Sequence, residues 1–552
     1  MKSTVWYVAD FETTSEAFYN EYGYTAVWLY SICDSEGNIV ERGYSIDEFM
    51  GHLSNYRGKT IYFHNEKFDG TFIIDWLLKN DFTYYPDLKK IDRGFTALIG
   101  EQGEFYSIDI KLSKKNQIHI LDSLKLLPFK VDKLAKDFNM PIKKLQIDYN
   151  DYTITPEKLE YVDHDVKIVA MALKHIKANG MTKMTTASCA YNEYMSMRPD
   201  DYISYCFPEL STQFLTEYRS AYRGGRTQVN PLYARIVVNG VKRFDINSMY
   251  PYVMASMPLP YGLPIKCNEP GHYRFELYKV RIGFVLKDNC LPSLLKKGSI
   301  GTGVDTYYVS TEDIEEIYIS SVDLDLVKRN YDIYHLEYLE IYGFYTSTIL
   351  FEDYVTKWYT RKNAHSGAEK IVDKLMLNSL YGKFGSNVMK SRKTPYIKED
   401  GSVGYVLEKP EESKHYYLPV AIAITSWAHK LIDDAIHETG IENFVYCDTD
   451  SVHTLGTLPD DWIDNKILGK FKLEAVEEVA KYIRQKCYLT YEENNWHITC
   501  AGMPDKLKEI VINKSGKHIL EDFDIGLRVF GKLIPKRVPG GTILHETTFE
   551  IR

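Results

Sequence analysis

The sequence lacks the usual marks of a zinc-binding, secreted or membrane protein. Its eight cysteines are scattered and form no Cys-x-x-Cys pair, which argues against a zinc site and fits a reducing cytosol. No apolar run reaches the roughly 18 residues that a membrane-spanning helix needs. Met1 leads directly into a strand-like segment rather than a signal peptide, and internal repeats are absent. The sequence therefore predicts a cytosolic protein without a membrane partner.

An overall excess of basic charge is also missing. The net charge of −9 argues against a protein that binds nucleic acid over its whole surface. However, nine Lys and Arg residues between positions 356 and 393 are opposed only by Glu369 and Asp373. Such a run usually forms a solvated helix face. A nucleic-acid protein needs only a local basic channel, and the acidic motifs described below favour a phosphate-facing surface.

The pattern of strands and helices changes along the chain. At roughly 100–200 residues per domain, 552 residues predict three to five domains. Up to about residue 185, apolar strands at 5–9, 59–63 and 118–122 alternate with segments of helical pattern, which is typical of an α/β unit. Further on, the sequence predicts a strand at 243–246, a strand-rich segment from 258 to about 345 and a helical segment at 353–383. It also predicts hairpins around Asp400-Gly401 and 539–541.

Acidic residues follow several elements of the first third. Asp10 and Glu12 end the first predicted strand, and strand alternation places both on one face. Asp69 follows the second strand, and Asp165 lies one helical turn after Tyr161. Taken singly, each acid fits an ordinary loop or exposed helix position. Together they suit two hard divalent cations that cleave phosphodiesters, with Tyr161 orienting the water.

A second acidic constellation lies in the last two thirds. Asp448 and Asp450 flank Thr449 in a tight turn, and Asp245 ends a different strand. Two carboxylates ~4 Å apart repel by about 4 kcal/mol at an effective dielectric near 20, so they favour a bound divalent cation. Three such acids suit nucleotidyl transfer by in-line displacement. An Asp-Thr-Asp sequence is also compatible with a simple hairpin turn.

The basic helical segment offers groups for a nucleotide. Lys374, Asn378 and Tyr381 share one face of a helix, which presents a cation, an amide and a ring. Lys362, twelve residues before Lys374 on the same helical segment, is a second candidate for the triphosphate. Tyr381-Gly382 is equally compatible with an ordinary helix end.

In this order, the motifs resemble those of family B DNA polymerases, and within them the protein-primed polymerases of small tailed Bacillus-type phages, over nearly the whole chain. The resemblance implies α/β and α+β domains: an RNase H-like 3′→5′ exonuclease domain and a right-hand polymerase with two insertions. The implied divisions are exonuclease 1–186, palm 187–256 and 417–500, insertion 257–349, fingers 350–385, insertion 386–416 and thumb 501–552.

The resemblance also implies roles for individual residues. Lys144 matches an exonuclease lysine, and Tyr250 matches the residue under the deoxyribose of the incoming nucleotide. Met249 and Gly385 depart from the usual leucine and alanine. The implied metal ligands are Asp10, Glu12, Asp69, Asp165, Asp245, Ile246 and Asp450. The implied DNA contacts are Tyr62, His64, Asn65, Phe72, Ser123, Leu124, Tyr222, Gly224, Gly225, Lys486 and Tyr488.

The implied partners are DNA, as template-primer and single strand, deoxynucleoside triphosphates, and a terminal protein that serves as primer. The implied cofactors are two Mg²⁺ or Mn²⁺ ions per active site. The expected state is a monomer that pairs with the terminal protein at initiation, in the cytoplasm of an infected bacterium. The alternatives are a family B polymerase that extends only nucleic-acid primers, and a DNA-binding scaffold without catalysis.

The insertion at 257–349 is rich in tyrosine, which is enriched at protein interfaces. These rings predict either a docking surface for the terminal protein or the insertion's own core. They are Tyr307, Tyr308, Tyr318, Tyr331, Tyr334, Tyr338 and Tyr342.

Overall fold

The computed structural model describes residues 5–148, 150–296 and 306–552. Residues 1–4 and 149 of the expected exonuclease range, and 297–305 of the expected first insertion, lie outside the described residues. Within these ranges, no helix is long and apolar enough to cross a membrane.

A seven-stranded sheet forms the first third of the chain, in the order β3-β2-β1-β4-β7-β6-β5. Its middle strands β1, β4 and β7 are parallel, and the outer pairs are antiparallel. Its strands are β1 (Trp6–Thr13), β2 (Val27–Asp34), β3 (Ile39–Gly43), β4 (Thr60–Phe63), β5 (Gly94–Ile99), β6 (Phe105–Ser113) and β7 (Asn116–Asp122). Its helices are α1 (Glu16–Tyr22), α2 (Ile46–His52), α3 (Glu66–Lys79), α4 (Val131–Asp137) and α5 (Pro156–Ala178).

Helix α5 covers β1 and β2 and begins where the sequence predicts. Pro156 occupies the first turn, where its missing N–H costs nothing, and the Thr155 hydroxyl accepts a hydrogen bond from Lys158 N at 3.4 Å. Its apolar side, including Val166 and Leu173, is fully buried. Burial of this side fixes which residues of α5 face the sheet.

Three short helices connect the first sheet to a second sheet of seven strands, in the order β22-β21-β20-β9-β19-β18-β8. The connecting helices are α6 (Thr186–Ser196), α7 (Asp200–Cys206) and α8 (Thr212–Glu217). The strands of the second sheet are β8 (Thr227–Val229), β9 (Val237–Ile246), β18 (Phe444–Asp448), β19 (Ser451–Thr454), β20 (Phe471–Arg484), β21 (Cys487–Glu492) and β22 (Asn495–Cys500). Helices α9 (Met249–Ser256) and α13 (Leu418–Thr439) pack beside this sheet.

A separate four-stranded sheet, in the order β10-β13-β11-β12, occupies the range of the expected first insertion. Its elements are β10 (Leu259–Lys266), β11 (Phe275–Leu286), β12 (Glu315–Ser320), α10 (Ser321–Asn330) and β13 (Tyr331–Ser347). Two of its tyrosines belong to the core, since Tyr307 and Tyr331 are buried, whereas Tyr334 is 62% exposed. The docking interpretation is therefore wrong for Tyr307 and Tyr331.

The segment predicted as helical at 353–383 is divided into two helices, α11 (Glu352–Ala364) and α12 (Gly367–Phe384). Asp373 on α12 is fully buried and binds both Arg361 Nε (2.8 Å) and His365 Nδ1 (2.6 Å) from the end of α11. Because Gly367 adopts a positive φ of 56°, the chain turns back at this point. The correction matters because Lys362 and Lys374 lie on facing helices.

Two hairpins extend from this framework and meet. The first contains β14 (Met389–Lys390), β15 (Lys393–Ile397), β16 (Val403–Leu407) and β17 (Glu411–Glu412), with its turn at Gly401 as predicted. The second contains β23 (Arg528–Val538) and β24 (Gly541–Glu550), which follow α14 (Asp505–Ser515) and α15 (Ile519–Asp522). The guanidinium of Arg537 lies 4.7 Å from the ring centroid of Tyr405, so the two hairpins touch.

The tip of the second hairpin also rests on the amino-terminal unit. Thr25 N donates to Pro539 O at 2.9 Å. A Cβ at Gly540 would lie 2.0 Å from the carbonyl oxygen of Thr25, and one at Gly541 would lie 2.4 Å from the ring of Phe72. Only glycine allows this contact, and both residues also have positive φ. The second hairpin therefore contacts both the first hairpin and the domain of the first sheet.

Candidate active sites

The four acids of the amino-terminal motifs come from one strand and two helices. Asp10 and Glu12 lie within β1 rather than after it, because the strand continues to Thr13. Asp69 is in the first turn of α3, and Asp165 is on α5. Both helices pack against the sheet, and this brings their acids close enough to act on Glu12 through their charges.

These carboxyl groups disfavour one another's ionisation. Burial raises the pKa of Asp10 to about 7, and the charge of Asp165 adds to the rise. Burial, followed by the charge of Asp10, raises the pKa of Glu12 and of Asp69. Burial also raises the pKa of Asp165. Crowded, desolvated carboxylates of this kind are relieved by a cation.

Lys144 supplies a positive charge beside this group. Its ammonium forms an ion pair with Asp165 Oδ2 and lies 5.1 Å from the centroid of the Tyr161 ring. Oδ1 of Asp165 is buried, and no hydrogen-bond partner reaches it from the described part of the chain. The structure thus brings together all six residues predicted for this site: Asp10, Glu12, Asp69, Lys144, Tyr161 and Asp165.

The residues implied to hold single-stranded DNA line the edge between β4 and β7. His64 Nδ1 is 2.9 Å from Ser123 Oγ, whose hydroxyl donates to Phe63 O at 3.0 Å. The Tyr62 hydroxyl accepts from Lys177 Nζ at 2.9 Å. Ser123 and Phe72 are buried, and Phe72 is covered by the glycine tip of the second hairpin.

One supporting residue escaped the sequence analysis. Asp122 Oδ1 accepts hydrogen bonds from the backbone N–H of Asn65 (3.0 Å) and of Leu124 (2.9 Å), two of the residues implied to contact DNA. Asn65 has a positive φ of 73°, and this contact fixes it at the start of α3. The available signal was that Asp122 ends β7, directly before Ser123.

The acids of the second constellation sit on neighbouring strands of the second sheet. Asp245 on β9 lies opposite Ser451 on β19, and Ile246 N donates to Asp450 O at 2.8 Å. Burial raises the pKa of Asp245 to about 7, and the charge of Asp450 adds to the rise. Burial raises the pKa of Asp450 as well. The backbone therefore fixes Asp245 and Asp450 beside each other.

Asp448 is held differently from these two. Both of its oxygens lie 2.8 Å from Lys486 Nζ, and Oδ1 also accepts from Thr227 Oγ1 at 3.0 Å. Thr449 has a positive φ of 62°, and a Cβ at Gly225 would lie 2.9 Å from its side chain. The Gly224-Gly225 loop therefore packs directly against the Asp-Thr-Asp turn.

Aromatic rings line the neighbouring surface. Tyr250 on α9 stacks on Tyr381 of α12, with centroids 4.2 Å apart and planes at 26°. Burial raises the pKa of Tyr222 to about 12, and nearby Tyr381 adds to the rise. A Cβ at Gly385 would lie 2.6 Å from the Tyr222 ring, so the glycine that departs from the usual alanine makes room for this tyrosine. Tyr488 packs 5.2 Å from the Tyr446 ring.

The predicted nucleotide-binding side chains face this surface from two helices. Lys374 and Asn378 are exposed one turn apart on α12, and the charge of Lys374 opposes the rise in the pKa of Asp245. Lys362 Nζ on α11 donates to Ser248 Oγ at 2.9 Å. Burial lowers the pKa of Lys362, and the charge of Lys374 lowers it further. Two crowded ammonium groups beside the acids suit a polyanion.

Comparison with known proteins decides the family. The model of DNA polymerase type B, organellar and viral, matches residues 52–153 and 148–467. The DNA polymerase of Bacillus phage phi29 is 36% identical to this chain, in an alignment that covers 99% of each of the two. The chain belongs to the type B DNA polymerases. It is a DNA-directed nucleotidyltransferase of the phi29 type.

Two solved structures extend the similarity to the whole fold. Phi29 DNA polymerase with primer-template DNA and incoming nucleotides matches with a TM-score of 0.90 and 35% identity, covering 100% of both chains. Phi29 DNA polymerase with single-stranded DNA matches with a TM-score of 0.91 and 34% identity, over the same coverage. The prediction of an exonuclease domain joined to a palm, fingers and thumb is confirmed. The boundaries of the individual domains and insertions stay predictions.

Proposed function

We propose that this type B DNA polymerase also proofreads with a 3′→5′ exonuclease, starts synthesis on a terminal protein, and displaces the strand ahead of it. The observation that carries the two-activity proposal is that the chain holds two separate groups of crowded carboxylates. One is built on the first sheet, with the pKa of Asp10 raised to about 7, and the other on the second sheet, with the same rise at Asp245.

Both groups are suited to divalent cations, Mg²⁺ or Mn²⁺, two per site. Among the described residues, no three His, Cys, Asp or Glu side chains stand close enough to complete a metal site alone. Mg²⁺ commonly takes one or two protein carboxylates and completes its shell with water and substrate phosphate. This spacing therefore fits ions shared with DNA or with a nucleotide. When bound, such ions acidify the attacking group and stabilise the leaving oxygen.

In the exonuclease site, Asp10, Glu12, Asp69 and Asp165 would hold the ions. Tyr161 would orient the attacking water, since its ring lies beside Lys144 and one helical turn from Asp165. Lys144 would then offset negative charge as the phosphodiester bond breaks, because its ammonium already contacts Asp165.

His64, Asn65, Ser123 and their neighbours would orient the single strand in this site. This assignment is supported by the likeness to phi29 DNA polymerase solved with single-stranded DNA. The hydrogen bond between His64 and Ser123 and the two backbone bonds to Asp122 fix the edge against which the strand would lie.

In the polymerase site, Asp245, Asp450 and the Ile246 carbonyl would hold the ions. Lys362 and Lys374 would bind the triphosphate, and Asn378 lies one turn beyond Lys374. The stacked rings of Tyr250 and Tyr381 would form the floor under the sugar and base. Lys486, Tyr488 and the loop at Tyr222 to Gly225 would hold the primer strand.

The contacts of the two hairpins with each other and with the first sheet's domain support processive, strand-displacing synthesis. The first hairpin meets the second through Tyr405 and Arg537, and the glycine tip of the second hairpin rests on the first sheet's domain. A protein with a net charge of −9 would then retain DNA by enclosure rather than by charge. Such an enclosure would narrow the template path, so that only one strand would enter.

Deletion of residues 390–412 tests the enclosure. The deletion variant should give short products and fail to displace a strand from nicked duplex, while it still fills short gaps. Undiminished displacement would refute the enclosure and leave the gap-filling polymerase intact.

The first insertion is proposed to dock a terminal protein, whose Ser, Thr or Tyr hydroxyl would take the place of a primer 3′-hydroxyl. The supporting observation is the exposed aromatic surface of this sheet. Tyr345 is 54% exposed and stacks 6.1 Å from Tyr261. Tyr331 of the same sheet is the contrasting case, because it is buried and cannot contact a partner.

Labelled nucleotide transfer to the cognate terminal protein tests protein priming. Tyr334→Ala with Tyr345→Ala should weaken this transfer and leave extension of DNA primers unchanged, whereas Asp450→Asn should block both. If no protein of the source accepts a nucleotide, the nucleic-acid-primed alternative replaces this proposal. Absence of DNA-primed extension by the unaltered chain would favour the non-catalytic scaffold.

The proposed setting is an infected bacterial cell, with the polymerase replicating a linear viral genome. It would act as a monomer on DNA and as a heterodimer with the terminal protein at initiation. The support is that the relatives compared above come from a bacteriophage.

A further inference from the structure

Two buried cysteines face each other beneath the proposed primer-binding residues. Cys487 begins β21, Cys500 ends β22, and the antiparallel register places them directly opposite. Their sulfur atoms are 3.4 Å apart. Ala501 N donates to Lys486 O at 2.8 Å, so residues 486 and 501 are a hydrogen-bonded pair. Cys487 and Cys500 are then the adjoining non-hydrogen-bonded pair, whose side chains approach most closely.

The two thiols differ in their chemistry. The hydrogen bond with Cys487 lowers the pKa of the Cys500 thiol, and the charges of Arg484 and Lys508 lower it further. The same hydrogen bond, together with burial, raises the pKa of Cys487. Since the thiolate is the nucleophile, the direction of these shifts agrees with attack by Cys500, with Cys487 as the partner that resolves the product.

Cys500 is also the thiol nearer to solvent. It is 5% exposed and lies directly before the exposed turn at Ala501 and Gly502, whereas Cys487 is fully buried. Cys500 is therefore the thiol of this pair that a small molecule from solvent would reach first.

The other cysteines of the described chain have no such arrangement. No second pair of cysteine sulfurs makes contact within the described ranges. Burial raises the pKa of Cys33 to about 12 and that of Cys447 to about 12, so both remain thiols. Reactivity towards an oxidant is therefore expected to be selective.

We propose that Cys487 and Cys500 form a thiol–disulfide exchange site that takes small-molecule disulfides and closes a cross-strand disulfide. The Cys500 thiolate attacks one sulfur of the small disulfide, forms a mixed disulfide and releases one thiolate. The Cys487 thiol gives its proton to that thiolate, attacks the Cys500 sulfur and releases the second thiolate. The two protein thiols lose two electrons, and the small disulfide gains them. It leaves as one thiol and one thiolate, and that thiolate takes up from water the proton that Cys500 released when it ionised.

Closure of this bond acts on the polymerase site through Lys486. A disulfide shortens the sulfur separation from 3.4 Å to about 2.05 Å, which moves Cys487 towards β22. Lys486 precedes Cys487 with a positive φ of 52°, and its ammonium binds both oxygens of Asp448. A displacement of ~1 Å at a positioned group is enough for a rate change of up to about 10²-fold. We expect primer extension to slow at least threefold.

Peptide mass spectrometry tests the exchange directly, because no Lys or Arg lies between Lys486 and Lys506. Trypsin therefore releases Cys487 and Cys500 in one peptide, 487–506. After incubation of the full chain with glutathione disulfide and then iodoacetamide, this peptide should be lighter by two hydrogens and carry no alkyl group. A doubly alkylated peptide, or equal oxidation of the half-buried Cys290, would overturn the proposal.

Variants of the pair identify the order of attack and the effect on synthesis. Cys487→Ser should retain glutathione on Cys500, Cys500→Ser should retain none on Cys487, and Cys290→Ser should oxidise like the parent. Extension by the oxidised parent should fall and recover with dithiothreitol, with exonuclease activity unchanged, and Cys500→Ser should not respond. Unchanged extension in a protein with the 487–506 disulfide would overturn the coupling to Lys486.

Discussion

The two carboxylate groups reach similar electrostatics by different construction. In the proposed polymerase site, Asp245 and Asp450 lie on adjacent strands that are joined by a backbone hydrogen bond, so the sheet itself sets their separation. In the proposed exonuclease site, Asp69 and Asp165 lie on helices, and an ion pair with Lys144 holds Asp165. Burial and mutual repulsion nevertheless raise the pKa of Asp10 and of Asp245 alike. Both groups crowd buried carboxyls, but they share no strand or helix. A substitution in one group should therefore leave the other intact.

The largest effect is expected from Asp450→Asn, which keeps the side-chain shape and removes one charge. Loss of several kcal/mol of transition-state stabilisation should slow DNA-primed extension by about 10³-fold or more. Exonuclease activity should persist, because its proposed acids lie on the other sheet and on the helices that pack against it. Single-turnover extension is the measurement, and a rate within tenfold of the parent would contradict the assignment.

The converse variant, Asp10→Ala with Asp69→Ala, should lower degradation of single strands by about 10²-fold or more. Extension should stay close to the parental rate. Degradation of a labelled oligonucleotide without nucleotides is the measurement. A suitable control is Asp163→Ala, because Asp163 lies on α5 near this group but binds Arg42 instead. Parental degradation by the double variant would remove the site from these residues.

A smaller effect, about tenfold, is expected at the stacked pair, where removal of one ring is worth roughly 1 kcal/mol or more. Tyr250→Val should increase incorporation of ribonucleotides relative to deoxyribonucleotides, because space opens below the sugar. The ratio of kcat/KM for the two nucleotides is the measurement. If Tyr250 is only a core residue, the ratio stays constant and the melting temperature falls.

The smallest effect is expected in the pH dependence of stability, and it tests whether Asp10 and Asp245 are perturbed by the same cause. For Asp10 and Asp245 the folded pKa of about 7 exceeds the ordinary value of 3.8. Their contribution to stability is therefore fully present below about pH 4 and is lost as the pH rises towards 7. In chelator, the melting temperature of the parent should therefore fall relative to that of Asp10→Asn and of Asp245→Asn over this range, by about 2–4 °C per kcal/mol lost. A difference that stays constant from pH 4 to pH 7 would contradict the shared cause.

Local patterns sufficed to predict much of this molecule. Hydrophobic alternation and capping residues located α5, the Asp-Thr-Asp hairpin and the turn at Gly401, because these depend on neighbours in sequence. The break at 365–367 was missed, since it depends on Asp373 reaching back across two helices. Glu66 was missed as well: its carboxyl is fully buried, has no hydrogen-bond partner among the described residues, and its pKa is raised by burial. Burial by distant segments has no signature in a local pattern.

The glycine tip of the second hairpin has a consequence for biosynthesis. Thr25 and Pro539 are joined by a backbone hydrogen bond, although they lie far apart in the sequence. A ribosome makes the amino-terminal part first, and domains generally fold as units in that order. The surface around Thr25 and Phe72 must therefore exist before its partner emerges. The proposed enclosure of DNA would then be completed late in synthesis, because a chain that lacks the second hairpin cannot make this contact.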